Sequence, residues 1–192
     1  CNVLICGQMV PLSRHLLFNT PSCCFGVELC EDAWAPIPPS SELALQGAEI
    51  IFNLSADNEG IGKHEYLKSL LAQQSARCLA GYVYAGAGFG ESSQDLVFAG
   101  KALIYENGIL LAENERFSLK EQLIYSEIDM DSLRTERRIN TTFSASVARL
   151  TSRNILQIDT ELFASKDIEL SRSINPTPFI PSKDDMDERC EE

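Results

Sequence analysis

A chain of 192 residues with 44% hydrophobic and 23% charged residues is long enough for one packed core and composed like an ordinary globular domain. Its net charge of −12 and pI near 4.6 exclude nucleic acid and anionic membranes as main targets, because both select basic surfaces. No apolar run approaches the roughly 20 residues of a membrane helix.

Cysteines fall at 1, 6, 23, 24, 30, 78 and 190. An odd count in a chain of this length, with no signal-like segment, argues against a disulfide framework. Two histidines and no paired CxxC motifs argue against structural zinc, so no metal site is expected. Reduced thiols in a cytoplasmic protein are the expectation, most of them small core residues. The first residue is not Met, and the end at 184–192 is a charged, helix-like run, so the chain reads as a piece of a longer polypeptide.

In chain order, residues 1–22 read as loop, with one short strand candidate at 15–18. The run 23–29 is short, apolar and bounded by turn residues, which predicts a buried strand. Pro36, Pro38 and Pro39 exclude a helix across the next turn. Ser40 or Ser41 then caps a helix with Leu43, Ala44 and Leu45 inward, ended by Gly47. Residues 49–54 are the next apolar strand, and 55–62 a polar loop. Leu67, Leu70, Leu71, Ser75, Cys78 and Leu79 form one stripe of a helix over 63–79, stopped by Gly81. A strand over 82–85 completes strand–helix–strand–helix–strand, the pattern of a layered α/β sheet.

The pattern then changes. Strands over 95–105 and 109–113 flank Asn107-Gly108, a type I′ hairpin turn. A strand is expected over 123–129 and a short polar helix over 130–138. Past 140, the runs 147–150 and 155–158 are strands or an extended arm. Pro176, Pro178 and Pro181 mark 175–183 as a linker.

Cys30 stands at the C-terminal end of the 23–29 strand, where α/β proteins present reactive side chains. A thiol attacks as thiolate, which a nearby cation favours. Cys30 is instead followed by Glu31 and Asp32, whose charges oppose that form. A cation or base must therefore come from elsewhere, and Lys63 and His64 are the nearest candidates in the chain. The other reading of Cys30 is a buried core residue. Trp34 reads as packing under the proline turn, with lining a pocket as the other reading, His15 and His64 as surface histidines, and Tyr82, Tyr84 and Phe89 as sheet core. Gly86, Gly88 and Gly90 form a backbone turn rather than a nucleotide loop, since no helix start follows them. Glu91 and Asp95 are expected to fix loops.

Val27-Glu28-Leu29-Cys30-Glu31-Asp32-Ala33-Trp34-Ala35-Pro36-Ile37-Pro38-Pro39-Ser40 resembles the nucleophile segment of the nitrilase superfamily. More narrowly, it resembles the glutaminase domain of the glutamine-dependent NAD+ synthetase family. Asn53-Leu54-Ser55, Ser75-Ala76-Arg77-Cys78-Leu79-Ala80-Gly81-Tyr82-Val83-Tyr84, Gly88-Phe89-Gly90-Glu91-Ser92, Asp95-Leu96-Val97-Phe98 and Tyr105-Glu106-Asn107-Gly108 follow in that family's order. Pro178-Phe179-Ile180-Pro181 and Asp187-Glu188-Arg189-Cys190-Glu191-Glu192 resemble the segment that leads into its synthetase domain.

The resemblance implies a nitrilase-like α-β-β-α sandwich, incomplete because its N-terminal part is absent. Residues 1–139 would be the partial carbon-nitrogen hydrolase domain, 140–175 an arm or additional strands, and 176–192 a linker. It also implies a Glu-Lys-Cys triad in which Cys30 attacks the side-chain amide of glutamine. The triad Glu and Lys precede the cysteine in that family, and no motif between residues 1 and 25 matches either. Substrate-binding positions carry over to Glu31, Lys63 and Asp57, the last standing where the family has a serine. No cofactor is expected in this fragment; ATP and Mg2+ belong to the absent synthetase domain, which amidates deamido-NAD+. Self-association into a homo-oligomer follows by analogy, and an isolated half-domain should expose apolar sheet. A stand-alone nitrilase-type amidase and a non-catalytic interaction domain are the alternatives.

Overall fold

The computed structural model describes residues 1–150, 155–161, 170, 172 and 173; the linker expected over 176–192 lies outside them. The chain opens on an antiparallel hairpin of β1 (Asn2–Ile5) and β2 (Gln8–Pro11). This corrects the loop expected over 1–22. Cys6 and Gly7, at φ 50 and 79, both adopt the left-handed conformation that a two-residue hairpin turn requires. The short strand candidate at 15–18 forms as β3 (Leu16–Asn19).

Seven strands build one mixed sheet in the order β8-β7-β6-β5-β4-β3-β9. At its centre β4 (Cys24–Leu29), β5 (Ile50–Ser55) and β6 (Gly81–Gly86) run parallel. The crossovers are α1 (Pro39–Leu45) and α2 (Lys63–Cys78). Successive strand residues point to opposite faces, so Leu17, Ile51, Tyr82, Tyr84, Leu103 and Tyr105 share one face. They meet Leu43 of α1 and Leu67 and Leu71 of α2 in a buried core. Each such leucine contributes about 2 kcal/mol by leaving water.

Helix ends differ from the expected ones for identifiable reasons. α1 begins on Pro39 with no side-chain cap, rather than at Ser40 or Ser41. A proline's fixed φ suits the first helical position, so the prolines start this helix instead of excluding it. Ser40 is buried, and its backbone N–H donates to Glu28 Oε2 at 2.8 Å. α2 ends through Leu79 in the left-handed conformation, φ 47, leaving Gly81 to open β6. A Cβ on Gly81 would stand 2.6 Å from Ile128 Cδ1, so any side chain there requires Ile128 to move.

The Asn107-Gly108 turn joins β7 (Ala102–Glu106) to β8 (Ile109–Glu113) as expected, at φ 46 and 87. Residues 95–101 are loop rather than strand. Ser92 Oγ and Ser93 Oγ accept the backbone N–H groups of Phe98 and Leu96 that a strand would use. Residues 123–129 form no strand either, and the Asp129 N–H donates to Glu106 Oε2 at 2.6 Å. α3 (Met130–Ile139) forms as expected. α4 (Thr141–Arg149) replaces most of the strand alternative at 147–150, because Asn140 caps it by accepting the Phe143 N–H. β9 (Leu156–Asp159) pairs parallel with β3. Arg137 of α3 donates to the carbonyls of Cys78, Leu79 and Ala48, capping α2 and closing that end of the sheet.

Helices α1 and α2 cover one sheet face. The other carries Phe18 stacked on Phe25, with Phe52 edge-on to Phe25. On that face Leu29 and Leu54 are 58% and 55% exposed. The described residues thus supply one helical and one sheet layer of the expected sandwich, with the apolar sheet exposed as anticipated. No helix among the described residues is long and apolar enough to cross a membrane.

Glu49, just before β5, ties α3 to the sheet by accepting from Cys24 N, Arg134 Nε and Arg134 Nη2. Burial pushes its carboxyl up, but the Arg134 and Cys24 hydrogen bonds and the charges of Arg134 and Arg137 outweigh this and hold it below the usual range. A depressed folded-state value contributes stability above the unfolded value, lost as pH falls through the folded one. The urea midpoint should therefore drop from about pH 5 downward, and Glu49→Gln should flatten that drop. An identical acid slope in the variant would refute the assignment.

Candidate active site

β4 ends at Leu29, and Cys30 opens a 3-10 turn, Cys30–Trp34, at φ 48. A non-glycine residue in this region is uncommon, and such strain concentrates at functional sites. Two side-chain hydrogen bonds hold the turn. Asp32 Oδ2 accepts from Leu29 N at 2.9 Å, and Asn53 Nδ2 donates to Cys30 O at 3.4 Å. Asp32 therefore acts on the backbone of the turn, while Glu31 is exposed on it.

Beneath the cysteine, Asn53 Nδ2 also donates to the Tyr82 hydroxyl at 3.3 Å, and Tyr82 donates to Glu28. Glu28, Asn53 and Tyr82 are at most 2% exposed. Strand register brings them together: Glu28 lies opposite Asn53, and Ile51 opposite Tyr82. Burial, then the charge of Glu28 and its hydrogen bond, push the Tyr82 phenol far above its ordinary range, so it remains a donor. One polar network thus crosslinks three strands under the turn that presents the thiol.

The Cys30 thiol itself meets Ser55 at the end of β5, with Ser55 Oγ donating to Sγ at 3.4 Å. Cys30 is half-buried. Burial pushes the Cys24 and Cys78 thiols up to about 11. Cys1, Cys6, Cys23, Cys24, Cys30 and Cys78 are all free thiols.

The loop from β5 to α2 folds back on itself beside this turn. Lys63 Nζ donates to Asp57 Oδ1 at 2.5 Å and to Asn58 O at 2.9 Å. It also lies 5.4 Å from the centre of the Trp34 ring. Trp34 stacks on Tyr66 of α2. Further along the loop, Glu59 pairs with Lys101 at 3.1 Å and with Arg116 at 3.7 Å. Their side chains are 10% exposed for Glu59 and 3% for Lys101. His64, expected at the surface, is buried with Nε2 3.0 Å from Glu113 Oε1. Glu91 fixes its loop as expected by accepting the Gly88 N–H.

Of the residues singled out from sequence, Cys30, Asp57 and Lys63 thus gather at one end of the sheet, on or beside the turn of Trp34. Glu28, Asn53, Ser55, Tyr84 and Lys101 were missed as site residues. All but Lys101, which lies in the loop before β7, carry the signal of a polar group on the inward parity of an apolar strand, a placement that requires a partner.

A half-buried cysteine at the C-terminal end of a parallel strand, hydrogen-bonded and set beside a cation-bearing loop, is an arrangement that nucleophilic thiol chemistry can use. The carbon-nitrogen hydrolase family model matches residues 8–138, and the chain belongs to that family. It is 40% identical over 186 residues to a glutamine-dependent NAD(+) synthetase of Mycobacterium bovis, covering 94% of this chain and 27% of the relative. A solved glutamine-dependent NAD+ synthetase from Acinetobacter baumannii superposes with a TM-score of 0.56 at 26% identity, over 63% of this chain and 22% of that one. A carbon-nitrogen hydrolase from Helicobacter pylori shares the fold at a TM-score of 0.58 and 20% identity, over 68% of this chain and 48% of that one. The chain therefore spans about a quarter of the length of the curated relatives it matches.

Proposed function

We propose that this chain carries the nucleophile of a glutaminase that feeds ammonia to an NAD+ synthetase. The observation that carries the reading is Cys30, half-buried at φ 48 in a strand-end turn, in a chain 40% identical to a glutamine-dependent NAD(+) synthetase. The thiolate attacks the side-chain amide carbon of glutamine. The tetrahedral intermediate collapses as the amide nitrogen takes a proton and leaves as ammonia. A glutamyl thioester remains, which water hydrolyses to glutamate and free thiol.

Lys63 receives the substrate's α-carboxylate, Asp57 its ammonium, and Glu31 flanks the cysteine. The Asp57–Lys63 pair supports the assignment of both ends, since it sets one cation beside one anion. The general-base carboxylate and the lysine that supports the oxyanion come from outside these 192 residues. In the same reading, the remaining layers of the sandwich cover the exposed Leu29 and Leu54. Ammonia then passes to a synthetase portion that uses ATP and Mg2+ to amidate deamido-NAD+.

The test is labelling of the full-length polypeptide with an electrophilic glutamine analogue, followed by peptide mapping. Modification should fall on Cys30 and be blocked by glutamine. Modification spread over Cys23 and other thiols, unprotected by glutamine, would sink the proposal.

A further inference from the structure

We propose that Asn58 closes over Lys63 as a stand-in for the α-carboxylate of an amino-acid amide, which binds by taking its place. The proposal rests on the reading of Lys63 as the receiver of that carboxylate, and adds the residue that sets how readily Lys63 is reached. An ammonium has three hydrogens to donate. On Lys63 all three are used within the loop. Nζ donates to Asp57 Oδ1 at 2.5 Å, to Asn58 O at 2.9 Å and to Asn58 Oδ1 at 3.0 Å. The Trp34 ring, its centre 5.4 Å away, closes a further side. A carboxylate therefore reaches this cation only by displacing one of the three oxygens.

The three oxygens are not equal. Asp57 is charged and its side chain is 7% exposed, and Asn58 O belongs to the backbone. Asn58 Oδ1 is neutral and sits on an exposed residue, so it is the one that yields. A carboxylate oxygen in its place makes the stronger, charge-assisted bond. Asp57 points to the other end of the ligand. Its Oδ2 is buried and has no hydrogen-bond donor among the described residues, and a buried acceptor left unpaired costs stability. An α-ammonium supplies that donor, and its charge offsets the second anion brought to Lys63. A zwitterionic amide thus satisfies both Asp57 and Lys63, whereas an amide bearing a carboxylate alone leaves Asp57 Oδ2 unpaired.

The experiment follows acylation of each lysine of the full-length polypeptide by acetic anhydride, using mass spectrometry, beside glutamine kinetics. Asn58→Ala should speed acylation of Lys63 about threefold, the worth of one exposed hydrogen bond. It should lower the KM for glutamine by about the same factor with kcat within about twofold, since every molecule is then open to substrate. Asn58→Asp keeps the shape but sets a carboxylate on Lys63, so it should slow acylation and raise KM about tenfold. A residue that only shaped the loop would raise KM in both variants. Lys120, exposed on another loop, is the internal control whose rate should not move. Unmoved acylation of Lys63 in Asn58→Ala, an unmoved or raised KM there, or an equal change at Lys120 overturns the proposal. The acylation readout itself uses no glutamine. Faster acylation of Lys63 that glutamine does not suppress, with Cys30 unlabelled by the glutamine analogue, would leave the clamp standing and remove the glutaminase reading.

Discussion

Cys30→Ala in the full-length polypeptide should lower glutamine-driven NAD+ formation by at least about a thousandfold while leaving ammonia-driven formation within about twofold. The asymmetry follows from what the thiol does in the proposed reaction. It forms the only covalent bond to glutamine, so its loss leaves no route to the thioester. Free ammonia bypasses that step. Alanine fits without strain on packing because Cys30 is half-buried and its turn is held by Asp32 and Asn53 rather than by sulfur. Equal loss of both activities would mean that Cys30 supports the fold and not the chemistry.

Lys101→Ala in this chain should lower its stability by about 3 kcal/mol or more, read as a shift in urea midpoint. Lys101 is 3% exposed and pairs at 3.1 Å with Glu59, itself 10% exposed. Removing the lysine leaves the Glu59 carboxylate buried with Arg116 at 3.7 Å as its remaining ion-pair partner. An uncompensated buried charge is far more costly than a missing pair. The double change Lys101→Met with Glu59→Leu should therefore recover most of the loss. The pair also anchors the loop that carries Asp57 and Lys63, so the single variant should weaken glutamine binding in the full-length polypeptide. A loss below about 1 kcal/mol would show that the pair behaves like a solvent-screened surface bridge.

The strand–helix alternation over residues 23–86 was legible because it rests on local periodicity. A stripe at helical spacing and short apolar runs report burial whatever the neighbours are. Misreadings fell where a side chain took over a backbone hydrogen bond. Ser92 and Ser93 dissolved the first half of the strand expected over 95–105. Asn140 turned a strand candidate into α4. Pro39 illustrates a different limit, because a proline excludes a helix interior yet suits a helix start.

Cys30 could be marked from sequence alone, by its place at the end of an apolar strand and the ordered motifs around it. The same sequence argument showed that Glu31 and Asp32 oppose its ionisation and that help had to come from elsewhere. Which groups offer that help depended on tertiary structure. Ser55 meets Sγ only because β4 and β5 pair in the register that sets Glu28 opposite Asn53. Lys101 finds Glu59 across a loop and a strand turn. Periodicity is a property of neighbours in the chain, whereas hydrogen bonds and ion pairs act over a few ångströms between residues far apart in it.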